Sequence, residues 1–198
     1  MMKIKKIEKG YLKLGNVVIF PTDTVYGLGC LINDQEAIDK IYQIKARTNR
    51  KELAILCGNL EAVKEIAVLN EKALKLANAF WPGALTMILP SSLNYFKQSN
   101  KKTVGVRIPN HQFALSLIEK NGPLKTTSVN KSGEAPLANL KTIKKEFKEV
   151  VDFIYQTNEK EILNRASTTI DLTRDEIVFL REGTLSKQVI MATLEGEK

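Results

Sequence analysis

Short apolar segments and amphipathic helical segments alternate along almost the whole chain. Residues 17–20 represent the first kind, because they form a β-branched run that Pro21 stops. Residues 35–45 represent the second kind, with apolar positions at helical spacing behind a capping residue, Asn33 or Asp34. Strands that alternate with helices of about ten residues build α/β domains. The sequence therefore predicts an α/β fold.

The other predicted elements follow the same two patterns. Further strands are expected at residues 53–57, 85–89, 104–108, 124–128, 168–172, 177–180 and 188–191. Further helices are expected at residues 61–66, 70–81, 111–120 and 142–150. No linker, repeat or low-complexity tract divides the chain, so residues 1–198 are predicted to be one domain. In such sheets, ligands bind at loops that follow the carboxyl ends of strands.

Composition narrows the class of protein. The chain has 43% hydrophobic and 26% charged residues, as ordinary globular proteins do. Its first ten residues lack the apolar stretch of about 7 to 15 residues that a secretory signal needs, so we expect a cytoplasmic protein. The two cysteines, Cys30 and Cys57, and the lone His111 have no metal-ligand spacing, so a structural metal is not expected.

The formal net charge of +8 favours acidic partners such as nucleotides or RNA. Most of this charge comes from lysines scattered among acids, which fits a solvated surface equally well. Arginine is rarer, with six in the chain, and its planar fork suits phosphate or carboxylate. Arg47, Arg107 and Arg181 are among the arginines that lie in the motifs considered next.

The segment Pro-Thr-Asp-Thr-Val-Tyr-Gly-Leu-Gly at residues 21–29 follows a predicted buried strand. Thr22 and Thr24 can bond a polar ligand, and the glycines permit close approach of the backbone. The alternative is a turn bonded by its own side chains. Ile32 stands where a dinucleotide fingerprint needs its third glycine, and no phosphate-binding P-loop occurs, so any ATP site would have to be built differently.

Residues 45–51 place four cations within seven residues and contain no acid. These cations, Lys45, Arg47, Arg50 and Lys51, suit a polyphosphate. An exposed basic turn is the alternative, although solvated surfaces usually mix charges of both signs.

Two further segments combine polar groups with predicted strands. Arg107 interrupts an apolar strand, where a buried charge needs either a ligand or an internal acid. Residues 126–133 follow a strand with hydroxyls and an amide, including Thr126, Ser128 and Asn130, which can hold ribose or phosphate oxygens. The alternative for this second segment is a polar turn.

Taken in order, these segments resemble the YrdC-like family of threonylcarbamoyl-AMP synthases, in its short single-domain type, from about residue 7 to residue 191. The shared motifs are Pro-Thr-acid-Thr-x-Tyr-Gly-Leu at 21–28, Lys-x-Arg at 45–47, Trp-Pro-Gly-x-Leu-Thr at 81–86, Arg-x-Pro at 107–109, Thr-Ser-x-Asn-x-Ser-Gly at 127–133, Ser-Thr at 167–168 before a strand ending in Asp171, and Arg-x-Gly at 181–183. The resemblance implies a twisted, open, mixed sheet flanked by helices, with a concave basic surface.

The resemblance also implies an activity and a set of site residues. A nucleotidyltransferase of this family would join L-threonine, bicarbonate or carbon dioxide and ATP, with Mg²⁺, into L-threonylcarbamoyl-AMP and pyrophosphate. By similarity, the catalytic residues are Lys45 and Arg47, and ATP binds Arg47, Lys51, Thr103, Ser128, Asn130 and Arg181. Threonine binds Thr24, Arg107, Thr126 and Ser167, and no residue is assigned to the metal.

The product of this family serves threonylcarbamoyladenosine modification of tRNA, so the implied partners are the tRNA threonylcarbamoyltransferase complex and tRNA or double-stranded RNA. Two alternatives stay open from the sequence. One is an RNA-binding protein of the same fold that uses the basic surface without synthesis. The other is a relative that hydrolyses nucleotides or transfers carbamoyl groups.

Overall fold

The computed structural model describes residues 10–46, 51–156 and 162–196. Within these ranges nine strands form one sheet in the order β7-β1-β2-β6-β3-β5-β4-β8-β9. The strands are β1 Val18–Phe20, β2 Gly27–Leu31, β3 Ala54–Leu56, β4 Leu85–Pro90, β5 Thr103–Arg107, β6 Leu124–Ser128, β7 Phe153–Ile154, β8 Thr168–Asp171 and β9 Val178–Arg181. The helices are α1 Gln35–Ile44, α2 Leu60–Ile66, α3 Glu71–Phe80, α4 Leu93–Ser99, α5 Gln112–Asn121, α6 Leu140–Phe147 and α7 Lys187–Glu195.

The sheet is mixed and open. The pairs β1–β7, β3–β5 and β4–β8 are parallel, and the other five pairs are antiparallel. Strands β7 and β9 are its two edges. The prediction of an α/β fold with an open, mixed sheet flanked by helices is therefore confirmed. Among the described residues, none of the helices combines the length and apolar character that a membrane span requires.

Helices cover the two faces of the sheet unequally. Ile19 and Ile55 belong to two large apolar clusters that pack against most of the helices. Their chain neighbours Phe20 and Leu56 belong to a smaller cluster with α5. Successive side chains of a strand point to opposite faces, so α5 lies on the face opposite the large clusters. On β6 this second face continues from Leu124 to the polar side chains of the candidate site.

Helix α1 begins where the capping pattern predicts. The Asp34 carboxylate accepts a hydrogen bond from the Ala37 N–H at 3.0 Å, as an N-cap residue does. Its second oxygen accepts the Gly15 N–H at 2.5 Å. One side chain thus fixes both the start of α1 and the turn that precedes β1.

Four parts of the secondary structure differ from the prediction. The predicted strand at residues 188–191 is wrong, because these residues lie inside α7, which Ser186 caps and Ile190 anchors in the core. An apolar run of four residues does not distinguish a strand from a buried helix turn. Residues 27–29 lie in β2 rather than in a loop, and α4 and β7 were not predicted.

Candidate active site

The loop between β1 and β2 uses one of its two threonines to hold its own shape. The Thr22 hydroxyl donates to the Val25 carbonyl at 2.6 Å and accepts the Thr24 and Val25 N–H groups, each at 3.3 Å. Thr24 is fully buried, and its hydroxyl accepts from the Arg107 guanidinium at 2.7 Å. Thr22 therefore stabilises the turn with its own side chain, which is the alternative considered from the sequence, whereas Thr24 faces the other polar residues of the site.

The glycines after this loop make room for side chains. A Cβ added at Gly29 would lie 2.9 Å from the Thr126 hydroxyl oxygen and 3.1 Å from the Phe20 ring. A Cβ at Gly27 would lie 2.9 Å from the Thr126 methyl carbon. The glycines of β2 therefore let Phe20 and Thr126 pack against the strand, which is a different role from the close approach to a ligand suggested by the sequence.

Arg107 ends β5 and is 5% exposed. Its Nη2 donates to the Asp23 carboxylate at 2.6 Å, and its Nε donates to the Gly83 carbonyl at 2.9 Å. With the bond to Thr24, three of the five guanidinium N–H groups are bound in fixed directions. The internal acid considered in the sequence is therefore present, and the pair resolves the cost of burying this charge.

Burial, Asp23 and a second arginine, Arg181, all influence the pKa of Arg107. Burial lowers the pKa of Arg107 from its usual value, the Asp23 carboxylate raises it, and the Arg181 guanidinium lowers it. Burial also lowers the pKa of Arg181. The Arg181 guanidinium thus opposes the charge on Arg107, and the Asp23 carboxylate offsets that effect. An anion placed near both would be strongly favoured.

A second cluster surrounds Lys45, which is fully buried at the C-cap of α1. Its ammonium donates to the Ser128 carbonyl at 2.7 Å and to the Asn130 side-chain oxygen at 2.5 Å. That amide oxygen also accepts from the Ser128 hydroxyl at 2.7 Å, and the Asn130 amide donates to the Glu134 carbonyl at 2.6 Å. Lys45 is therefore buried, unlike a residue of an exposed basic turn. Its hydrogen bonds link the Lys-x-Arg motif to the Ser-x-Asn motif.

A third cluster joins β4, β8 and β9 around Ser167. The Ser167 and Thr86 hydroxyl oxygens are 2.9 Å apart, and Arg181 Nη2 donates to the Ser167 hydroxyl at 3.2 Å. Arg181 Nε donates to the Ser167 carbonyl at 3.0 Å. A Cβ at Gly183 would lie 2.1 Å from the Ala166 carbonyl oxygen, so Arg-x-Gly packs directly against the segment that carries Ser167.

The remaining predicted site residues lie in different surroundings. Thr126 is 7% exposed on β6, between β2 and β3, on the face that carries Gly29. Thr103 is exposed at the start of β5, four residues before Arg107 and on the same face of the strand. Lys51 is exposed, and its carbonyl accepts from the Tyr42 hydroxyl at 3.1 Å. Arg47 lies outside the described residues.

Sequence inspection did not assign two side chains that the structure places in these clusters, Asp23 and Thr86. Both stand inside motifs quoted for the family resemblance, at the acid position of residues 21–28 and at the end of residues 81–86. A buried carboxylate and a buried hydroxyl each need a partner, so their presence in apolar surroundings was a usable signal. What the sequence did not supply was the identity of those partners, Arg107 and Ser167.

The described residues contain no group of three or more His, Cys, Asp or Glu side chains that could hold a metal ion. The donors that the three clusters supply are instead hydroxyls, one amide, two guanidinium groups and an ammonium. Groups of these kinds bind carboxylates and phosphates and read hydroxyls, with the cations opposing negative charge. Fold and site together define an α/β protein with an open, mixed sheet and polar clusters whose chemistry suits small anionic ligands.

Comparison with known proteins agrees with this class. The Sua5/YciO/YrdC family model, described as "Telomere recombination", matches residues 10–183. A threonylcarbamoyl-AMP synthase of Pyrococcus abyssi is 35% identical over 189 residues, which cover 93% of this chain and 55% of that protein. The chain belongs to the Sua5/YciO/YrdC family.

Two solved structures show the same fold. The crystal structure of P. abyssi Sua5 complexed with L-threonine is 34% identical, with a TM-score of 0.80, over 91% of this chain and 54% of that one. The crystal structure of Escherichia coli YciO is 29% identical, with a TM-score of 0.78, over 87% and 85% of the two chains. The chain thus spans about half the length of the P. abyssi protein and most of YciO.

Proposed function

We propose that this chain synthesises L-threonylcarbamoyl-AMP from L-threonine, bicarbonate or carbon dioxide and ATP, and releases pyrophosphate. The observation that carries the proposal is the joining of the Lys-x-Arg and Ser-x-Asn motifs through Lys45, on a chain 35% identical to a threonylcarbamoyl-AMP synthase. A buried ammonium bonded to both parts of a second motif gives the two motifs one shared site.

The threonine site is assigned to Thr24, Arg107, Thr126 and Ser167. Arg107 supplies the charge for a carboxylate, and its three internal bonds leave two N–H groups for a ligand. The hydroxyls of Thr24 and Ser167 are suited to the amine and hydroxyl of an amino acid. A relative in this family has been solved with L-threonine bound, which supports threonine as the amino acid.

The ATP site is assigned to Arg47, Lys51, Thr103, Ser128, Asn130 and Arg181, with Lys45 and Arg47 acting on the triphosphate. In the proposed reaction, the threonine amine attacks carbon dioxide and loses a proton to give a carbamate. A carbamate oxygen then forms a bond to the α-phosphorus of ATP while the bond to pyrophosphate breaks. In-line displacement of this kind depends on positioning and on cations near the developing charge, which Lys45 and Arg181 provide.

Magnesium is proposed as a companion of ATP. Mg²⁺ keeps several water ligands and commonly binds through substrate phosphates with one or two protein oxygens. The Ser128 hydroxyl oxygen could be one such ligand, whereas the Asn130 side-chain oxygen already accepts from both Lys45 and Ser128. The ion would neutralise phosphate charge during displacement. Lys45 would hold these two residues in place.

The wider setting is proposed from the same relatives. The product would pass to a tRNA threonylcarbamoyltransferase complex in the cytoplasm, and the net charge of +8 would favour contact with tRNA through a concave basic surface. RNA binding without synthesis is the competing function. It would depend steeply on salt, since phosphate contacts release counterions.

The test is pyrophosphate release with ATP, bicarbonate and threonine, beside reactions that contain serine or no amino acid. We expect release that requires threonine and falls when bicarbonate is removed. Pyrophosphate release that is independent of amino acid would instead indicate nucleotide hydrolysis. An absence of release together with salt-sensitive RNA binding would favour the RNA-binding alternative.

The Arg107 assignment has its own test. Arg107→Ala is expected to weaken threonine binding on the order of tenfold or more, because a charged hydrogen-bond donor is lost from a buried site. The matched control is Arg174→Ala, at an exposed position between β8 and β9. A loss of less than about threefold for Arg107→Ala, below half a power of ten in affinity, would reject the assignment.

A further inference from the structure

We infer that Asp23 is a positioning residue for amino-acid binding, which acts by holding the Arg107 guanidinium in one orientation. This inference rests on the proposed function, because it concerns how the same site recognises a substrate carboxylate. Asp23 is 8% exposed, so it lies at the site without being open to bulk solvent.

The carboxylate of Asp23 is committed to two donors. One oxygen accepts the Arg107 Nη2 at 2.6 Å and the backbone N–H of Asn110 at 3.1 Å. The second donor matters because the chain fixes the position of a backbone N–H. The carboxylate therefore has a defined position that does not depend on Arg107. A charge-assisted bond to that oxygen then fixes the guanidinium.

The other two bonds of Arg107 come from different directions. Nε meets the Gly83 carbonyl and Nη1 meets the Thr24 hydroxyl. Each of the three guanidinium nitrogens thus donates one hydrogen bond to the protein, and these bonds fix the orientation of the planar group. Its two uncommitted N–H groups therefore point in directions set by the protein, and a ligand carboxylate binds without the cost of ordering the side chain.

Asp23 also connects segments that are distant in the chain. Its backbone carbonyl accepts the Leu163 N–H at 3.0 Å, four residues before Ser167. Through its side chain it reaches Arg107 on β5 and Asn110 just before α5. The residue thus joins the β1–β2 loop to the two segments that carry Arg107 and Ser167, both assigned to threonine.

Charge gives Asp23 a second effect on Arg107. The Arg181 guanidinium opposes the charge of Arg107, whereas the Asp23 carboxylate favours it. Removal of the carboxylate leaves a buried cation without its acidic partner, and such a cation is expected to shift toward solvent or another acceptor. The consequence would be a misplaced carboxylate site rather than the loss of ATP binding.

The experiment compares Asp23→Asn and Asp23→Ala with the wild type by calorimetric titration of L-threonine and by the Michaelis constants for threonine and ATP. We expect Asp23→Asn, which keeps the shape but not the charge, to weaken threonine binding on the order of tenfold. The Michaelis constant for ATP should change less than about threefold, because the Lys45 cluster is not altered. Asp23→Glu should restore part of the threonine affinity, and Asp175→Asn, at an exposed site, should change neither constant.

A double-mutant cycle with Arg107→Ala separates positioning from general damage. If Asp23 acts through Arg107, the double variant binds threonine no more weakly than Arg107→Ala alone. Additive losses, or threonine binding by Asp23→Asn within about twofold of the wild type, would overturn the inference. Equal weakening of threonine and ATP would also overturn it, because that result indicates a structural defect. A wild-type chain that binds no threonine would contradict the proposed function itself and the inference with it.

Discussion

Lys45 shows how one buried side chain can link two sequence motifs. It ends α1, and its ammonium holds the Ser128 carbonyl and the Asn130 side chain. Burial of a charged group is tolerated only where partners satisfy it. The basic segment of residues 45–51 therefore contains residues in at least two environments, because Lys51 is exposed while Lys45 is enclosed.

Replacing Lys45 with methionine should reduce both stability and turnover. The Ser128 carbonyl and the Asn130 amide oxygen would each lose a donor, at a cost of about 1 to 3 kcal/mol, and turnover should fall on the order of 10²-fold. Urea unfolding and pyrophosphate release measure the two effects. Lys64→Met is the control, because Lys64 forms an exposed pair with Glu61 and should change stability by less than about 0.5 kcal/mol. Equal behaviour of the two variants would remove Lys45 from the site.

The two cysteines should be chemically inert in the folded protein. Burial raises the pKa of the Cys30 thiol to about 12, and burial raises the pKa of the Cys57 thiol to about 12 as well. The thiolate is the reactive form, so both thiols stay protonated until the pH approaches that value. A thiol reagent at neutral pH should label neither cysteine in the native state and both in denaturant. Rapid labelling of the native protein would show that one of them is accessible.

At the scale of elements, strand β2 illustrates what sequence reasoning reaches and what it misses. Gly27 and Gly29 were interpreted as residues of a ligand-binding loop, because glycine permits close approach of the backbone to a ligand. In the structure, Phe20 of β1 and Thr126 of β6 occupy the space where a side chain at these two positions would lie. Local propensity carries no information about which strand will lie beside β2, so this use of glycine was not predictable.

Gly29→Ala is therefore expected to destabilise the protein by about 1 to 3 kcal/mol, because the added methyl group overlaps the Thr126 hydroxyl and the Phe20 ring. The matched control is Gly105→Ala in β5, where the nearest atoms to the new Cβ are 3.9 Å away. We expect that control to change the free energy of unfolding by less than about 1 kcal/mol. Urea titration compares them, and equal stability of the two variants would contradict the packing described for β2.

Most elements were predictable because their sequence signals are strong. The elements that were predicted wrongly have weak signals. Strands such as β4 and β5 and helices such as α1 and α3 carry strong periodicity with caps or breakers at their ends. Helix α7 was taken for a strand because only its buried turn stands out in the sequence. Of the site, the polar motifs were visible, but the partner of each polar group depends on sheet order, which local patterns do not encode.

At the scale of the whole molecule, sheet order brings the motifs together. Residues 21–28 and 127–133 meet because β2 pairs with β6, and residues 81–86 meet residues 167–168 because β4 pairs with β8. Arg107 lies between these pairs on β5, which joins β3 to β4. The site is thus a property of the mixed topology rather than of any one loop, which explains how motifs spread from residue 21 to residue 183 can serve one reaction.

The family alone does not decide the reaction, because its members include both the P. abyssi synthase and E. coli YciO, an uncharacterized protein. The most direct measurement is mass spectrometry of the nucleotide formed from ATP, threonine and bicarbonate labelled with heavy carbon. The account predicts threonylcarbamoyl-AMP that carries both the threonine and the labelled carbon, formed by the wild type and lost in Lys45→Met. Formation of AMP or ADP without any adduct, under conditions in which the protein is folded, would contradict it.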